Sequence, residues 1–412
     1  MQRDVRVQVS GKFGTAGLLP GLPYREVWQC NVLTTLLWIG VLTAPPRYRG
    51  FDLSTFWAWI RYASAISERH SDLRLKPIWS DIDAHQKTVM SDDFGMGFSC
   101  HYLAEQHGIQ AFANTGYLLD SLVGVTTLRP SKRGPAKSPD FIGIDAQGRL
   151  HILECKGTQS SIDYLLRALE SGIEQKENFT NSTPFASSMV GGIFVPQHRS
   201  QESALLMYID PEPDPRLQQI SDMPHGRIEG AIYRISLAKE LMAAGLWRTA
   251  SRVERRDRPS EFAETSLTTI DVDLAFSGFV KGDQAWRRTT EYRSIEIDSI
   301  RLGDSEQVKE YARKTTLSIE FSDEVADFTR KVLEMDSGGA YASSDKLIVD
   351  RARARRQRRL VRIQSQGSED DPVRTLTRRV ESSWSEQTPS QASATLTGPS
   401  GIRFELSRED GS

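Results

Sequence analysis

Between Pro139 and Gly157, "PDFIGIDAQGRLHILECKG", charged residues occupy positions that a packed sheet would fill with apolar ones. Asp140 opens one short apolar run, and Glu154, Cys155 and Lys156 close a second. Strand side chains alternate between faces, so Leu150, Ile152, Glu154 and Lys156 share one face while His151, Leu153 and Cys155 share the other. The linking Asp145 to Arg149 predicts a hairpin with Ala146, Gln147 and Gly148 as its loop, glycine taking the position that favours φ > 0. If Asp145 pairs with Arg149, Asp140 falls opposite Glu154 to within one residue. Two carboxylates and an ammonium then converge. Carboxylates at cross-strand distance repel unless a cation stands between them, and hard oxygen ligands suit Mg²⁺ or Mn²⁺ with water completing the shell. Lys156 can orient a metal-adjacent water and offset charge on a phosphate, so the chemistry these residues suit is metal-assisted attack by water. The bland alternative is a surface hairpin with an incidental Glu–Lys pair.

Asp140 behind Pro139, then thirteen residues, then Glu154-Cys155-Lys156, resembles the PD-(D/E)XK nuclease superfamily with its restriction-endonuclease-like fold. The resemblance covers roughly residues 85 to 215. It implies that Asp140 and Glu154 bind the metal, that the Cys155 carbonyl can add a ligand, and that Lys156 serves the attacking water. The following segment, Ser160 to Phe179, reads as a helix with Ile162, Leu165, Leu166, Leu169 and Ile173 on a core stripe. It carries Gln175, resembling the helical glutamine that many members add to the site. "GGIFVP" and "ALLMYID" look like the later strands of such a sheet. Members commonly contribute a further acid from the helix before the strands; Asp92, Asp93 and Glu105 are the candidates. Asp93 is preferred, with helix capping as its other reading.

Those strands need a scaffold. With 412 residues, 38% hydrophobic and 26% charged, the chain has the profile of a globular protein of two or three domains. The expected fold class is α/β (α+β): a restriction-endonuclease-like mixed central sheet flanked by helices. Its expected parts are an N-terminal helical region over 1–84, the nuclease-like domain over 85–215, a C-terminal α+β domain over 216–335 and a disordered Arg/Ser-rich tail over 336–412. A net charge of −2 gives no bulk attraction for nucleic acid, so a local basic surface would have to hold it. One candidate is Arg351 to Arg362, with seven arginines in twelve residues; a solvated helix face is the alternative. Cys30, Cys100 and Cys155 are too scattered for a disulfide framework or a zinc site, which fits a reducing, cytoplasmic location. Cys155, His101, His107 and His151 read as packing or surface residues. Asn31 to Pro45, the most apolar stretch, is too short for a bilayer and reads as a buried helix or strand.

Upstream, Ser54 to Ser67 and Ser91 to Gly108 read as helices, the second capped by Gly108. Downstream, "GAIYRIS", "TTIDVDLAF" and "TLSIEF" read as strands, "SLAKELMAAGL" and "DEVADFTRKVLEM" as helices, and "SATLTGPSGIRFELS" as a lone hairpin. The expected function is a cytoplasmic Mg²⁺- or Mn²⁺-dependent endonuclease acting on nucleic acid, DNA rather than RNA, with a protein partner from a phage-defence or restriction system as a further expectation. The competing expectation is a non-catalytic or partner-activated subunit that keeps the fold.

Overall fold

The computed structural model describes residues 1–9, 25–45, 62–122, 139–176, 185–209, 225–254, 269–302, 305–365 and 391–410. Alternating valines, Val5, Val7 and Val9, form the buried face of strand β1 (Gln2–Val9), which pairs antiparallel with β2 (Arg25–Asn31). Helix α1 (Val32–Thr43) follows, with the Asn31 side chain accepting from the Leu33 N–H at 3.1 Å. It is apolar and buried on all sides, so of the two readings of Asn31 to Pro45, buried helix or buried strand, the helix holds over Val32–Thr43. Helix α2 (Ala84–His107) ends at Gly108, whose φ of +65° provides the left-handed cap. Strand β3 (Ile109–Asn114) and the short α3 (Thr115–Ser121) lead to the hairpin of β4 (Phe141–Asp145) and β5 (Leu150–Thr158). Helix α4 (Ile162–Lys176) then crosses to β6 (Phe185–Phe194), parallel to β5, and β7 (Leu205–Ile209) returns antiparallel.

These strands make one mixed seven-stranded sheet in the order β2-β1-β7-β6-β5-β4-β3, with helices on its faces. The fold class is thus mixed α/β. Residues 2–9 and 25–31, expected in a helical region, instead extend this sheet through the parallel pairing of β1 with β7. The helix expected from Ser54 falls mainly on residues outside the described ones.

Helix α5 (His225–Ala243) contains "GAIYRIS", and α7 (Thr269–Phe276), after α6 (Trp247–Glu254), contains most of "TTIDVDLAF". Both stretches were expected as strands on their β-branched residues. Burial of nearly every residue from Ile228 to Ala243 shows tertiary packing overriding that preference. A second sheet, ordered β11-β12-β10-β9-β8, is built from β8 (Val280–Lys281), β9 (Ala285–Leu302), β10 (Ser305–Ser322), β11 (Gln391–Thr397) and β12 (Arg403–Asp410). Helices α8 (Asp323–Ser337) and α9 (Tyr341–Ser365) separate β10 from β11.

The segment expected as a disordered tail is therefore ordered over 341–365 and 391–410. The hairpin is not alone: β12 pairs with β10 from Arg313↔Asp410 to Glu320↔Arg403. The arginine run is partly consumed inside the molecule. Arg353 forks onto buried Glu229 at 3.1 and 2.5 Å, and Arg351 bonds Glu324 at 2.9 Å while its guanidinium lies 4.6 Å from the Phe328 ring centre. The side chains of Arg356, Arg358, Arg359 and Arg362 lie outside the described ones. Glu296 of β9, buried with Lys76 at 2.6 Å and with Arg408 of β12, ties the second sheet to the first part of the chain. Among the described residues, no helix is long and apolar enough to cross a membrane.

Candidate active site

The β4–β5 register is the one the turn dictates. Phe141 faces Leu153, Ile142 faces Ile152, Gly148 has φ +81°, and the Asp145 N–H bonds the Arg149 carbonyl at 3.0 Å. One step beyond the ladder, Asp140 meets Glu154. The Asp140 N–H donates to Glu154 Oε2 at 3.1 Å, and the Cys155 N–H donates to Asp140 Oδ2 at 2.8 Å. Lys156 Nζ closes onto Glu154 Oε1. Asp140, Glu154 and Lys156 are thus brought together, with Glu154 only 1% exposed beneath an exposed Asp140.

Helices clamp the site from both faces. On one side α4 brings Gly172 so close that a Cβ there would lie 3.2 Å from Glu154 Cγ and 3.3 Å from Lys156 Cε. On the other, α2 meets the β5 backbone through glycine. A Cβ on Gly157 would stand 1.7 Å from the Ser91 carbonyl oxygen, and one on Gly95 would stand 2.5 Å from the Lys156 carbonyl carbon. Only bare backbone permits this approach. Cys155 turns to the α2 side beside Cys100, where burial pushes its thiol pKa up, as expected for a packing residue rather than a nucleophile.

Electrostatically the site is short of positive charge. Burial, and then the neighbouring Asp140, push Glu154 up to about 8, against the opposing pull of Lys156. Asp140 is also raised, chiefly by desolvation; it keeps an exposed side, so the cost concentrates at Glu154. Of the upstream acids, Asp92 is the one whose charge reaches the cluster: its own pKa is raised by burial and drawn down by Lys156, and it raises that of Asp140. Asp93, the preferred candidate, instead accepts the Tyr62 hydroxyl at 2.5 Å. Glu105 accepts from the Trp28 indole at 3.2 Å and sits 3.2 Å from His101. Sequence alone could not separate the adjacent Asp92 and Asp93, whose side chains leave the helix about 100° apart. Gln175 lies in the last turn of α4, its side chain outside the described ones.

No protein-family model, no curated protein and no solved structure matches the chain. The site must be read from its own chemistry.

Two neighbouring carboxylates at the hairpin's open end, one of them buried and each raised in pKa, would be relieved by a hard divalent cation, and their oxygens are the donor type such a cation takes. Among the described residues no group of three or more His, Cys, Asp and Glu side chains is gathered to hold a metal ion. The donors on hand for a cation are therefore the Asp140 and Glu154 carboxylates and backbone oxygen.

The histidines have other work. His101 Nδ1 is 2.8 Å from the Thr35 hydroxyl. His107 is held near 4 chiefly by burial. His151, which sequence alone left as packing, joins Asp145 at 3.1 Å and Ser187 at 2.8 Å across the turn end of the hairpin. A histidine two positions inside a strand next to an acidic turn residue was the only signal for that network.

Proposed function

We propose that the chain is a metal-dependent nuclease of the PD-(D/E)XK kind, with a restriction-endonuclease-like core over the β3-to-β7 region, hydrolysing phosphodiester bonds of nucleic acid, DNA in preference to RNA. The observation that carries the reading is the convergence of Asp140, Glu154 and Lys156 at the open end of the β4–β5 hairpin, where burial leaves acid in excess of base. Asp140 and Glu154 would hold Mg²⁺ or Mn²⁺, with the Cys155 carbonyl as a further oxygen and Asp92 contributing only its charge from outside the ligand set. The bound ion would supply Lewis-acid stabilisation of phosphate charge. Lys156, beside these carboxylates, would donate from its ammonium to the oxygen of the attacking water and offset charge on the phosphate, the water's proton passing to solvent. The α2 and α4 clamp fixes the two carboxylates against each other, so the water and phosphate meet a pre-set geometry. Cytoplasmic action within a phage-defence or restriction system, with a protein partner, fits this reading by analogy of function alone.

The test is cleavage of supercoiled plasmid and of single-stranded oligonucleotides by the purified chain with Mg²⁺ or Mn²⁺. Asp140→Ala, Glu154→Ala and Lys156→Ala should each lower the rate by about a thousandfold or more without loss of folding. Unchanged cleavage by Glu154→Ala would sink the assignment.

One observation favours a second reading. Glu154 is already met by Lys156 and by the Asp140 N–H, and Asp140 by the Cys155 N–H. Such a self-satisfied cluster suits a non-catalytic or partner-activated subunit. In that case isothermal titration with Mn²⁺ would register no binding by the isolated chain.

A further inference from the structure

The second sheet ends in a corner where α6, α7 and β8 meet. Phe276 is 73% exposed there, Val272 one turn before it is 45% exposed, and Val280 on the edge strand is 72% exposed. Large side chains left this bare on adjoining elements mark a surface that meets something. The guanidinium of Arg248 lies 5.0 Å from the Trp247 ring centre and 5.5 Å from that of Phe276, between the two rings. Among the described residues that guanidinium makes no hydrogen bond or ion pair. Asp273, whose field Arg248 shares, is 2% exposed and already accepts the N–H and hydroxyl of Thr249, both at 2.8 Å.

A second guanidinium reaches the chain just past the end of α7. Arg288 packs 5.3 Å from the Phe279 ring centre and donates to the Ser277 carbonyl at 3.2 Å. Its Nε is buried without a hydrogen-bond partner, and burial lowers its pKa with no carboxylate to offset the loss. The nearby acids are engaged elsewhere: Asp271 with Arg330 at 3.0 Å, Glu320 with Arg287 at 2.6 Å, and Asp323 with Lys281. Asp283, on the turn between β8 and β9, is exposed.

We propose that this corner is a docking platform for single-stranded nucleic acid, with a base stacked on Phe276 and the adjoining phosphate held by Arg248. An exposed ring beside a guanidinium whose N–H groups meet no acceptor among the described residues matches the alternation of base and phosphate along an unpaired strand. A purely apolar partner would leave that fork unmet. The choice of ligand class rests on the nuclease reading; the platform itself is remote from Asp140 and Glu154 in sequence and uses none of their groups.

The experiment is fluorescence anisotropy of a labelled oligothymidylate with the full chain in EDTA. Phe276→Ala and Arg248→Ala should each weaken binding by about tenfold. Arg248→Ala should also flatten the salt dependence by about 0.7 in log–log slope. If Phe276→Ala lowers Tm, Arg248→Gln reads the same contact with the rings intact. Equal affinity in wild type and variants, or no affinity in wild type, overturns the platform; cleavage retained by those same variants leaves the nuclease reading standing. Loss of binding in variants of a chain that shows no metal-dependent cleavage keeps the platform and removes the nuclease reading. A dimeric wild type made monomeric by Phe276→Ala at unchanged oligonucleotide affinity would assign the surface to self-association and overturn the proposal.

Discussion

The two ends of the β4–β5 hairpin bury acids of the same kind and treat them oppositely. At the turn, Asp145 accepts the N–H groups of Gln147 and Arg149, each at 2.8 Å, and the Arg149 Nε at 2.7 Å, with His151 at 3.1 Å. Desolvation is the largest influence there, yet the donors together outweigh it and hold the carboxyl below its ordinary range. At the open end desolvation is again largest, but the next influence on Glu154 is another acid, and the carboxyl rises to about 8. Burial alone therefore does not decide the charge state; the number of donors aimed at the oxygens does. One end spends its polar groups on holding a carboxylate charged, and the other sets two carboxylates against each other with fewer donors between them.

The comparison can be broken most severely at the clamp. Gly157→Ala would drive a methyl into the Ser91 carbonyl and push α2 off β5; a loss of about 3 kcal/mol or more in urea unfolding is expected, together with loss of any metal response. A variant of wild-type stability would mean that the two backbones are not in contact. Next comes Asp145→Ala, which strands Arg149, His151 and two N–H groups and should cost about 2–4 kcal/mol. Because the folded pKa of Asp145 is depressed, its contribution is present above the unfolded value and is lost as pH falls through the folded one. The variant should therefore show a flatter loss of Tm under acid.

Glu154→Gln tests the other sign. Its folded pKa of about 8 lies above the ordinary 4.5, so the stability linked to its proton is fully present below about 4.5 and is lost as pH rises through about 8. The glutamine variant should gain on the order of a few kcal/mol relative to wild type at pH 8, and little at pH 4. Wild-type pH dependence unaltered across that window would show that Glu154 is already ionised in the folded chain. Smallest is Ser187→Ala, which removes the 2.8 Å partner of His151 and should lower stability by about 1 kcal/mol in chemical denaturation. A shift above 3 kcal/mol would mark the turn-end network as cooperative rather than a sum of bonds.

The open end was legible because it is local. A tight glycine turn fixes a register, the register fixes which side chains face each other, and Asp140, Glu154 and Lys156 follow without any distant information. The capping of α2 by Gly108 and the buried α1 were legible on the same grounds. Pairings between segments far apart in sequence were not. Val5, Val7 and Val9 alternate as a half-buried strand should, yet their partner β7 lies some two hundred residues on, and a gap of about ninety residues hid the pairing of β12 with β10. Arg351 and Arg353 read as free basic groups because Glu324 and Glu229 are remote in sequence. The β-branched run inside α5 misled for the complementary reason: a helix buried on every side loses the amphipathic period that would announce it, while α7 is short and its run carries its own Val and Ile.

The C-terminal hairpin carries a consequence for synthesis. The Asn31 side chain, capping α1, donates to the Ser393 carbonyl at 3.0 Å, and Arg408 reaches the Ala63 carbonyl at 2.6 Å. Residues near the start of the chain thus wait for partners translated more than three hundred residues later. On a ribosome adding about 5–20 residues per second, the end of α1 that meets β11 would remain uncovered for tens of seconds, a span in which chaperones can bind and in which a prematurely terminated product stays recognisable to proteases. Completion of the fold, and with it any activity at the hairpin, would thereby be timed to the emergence of residues 391–410.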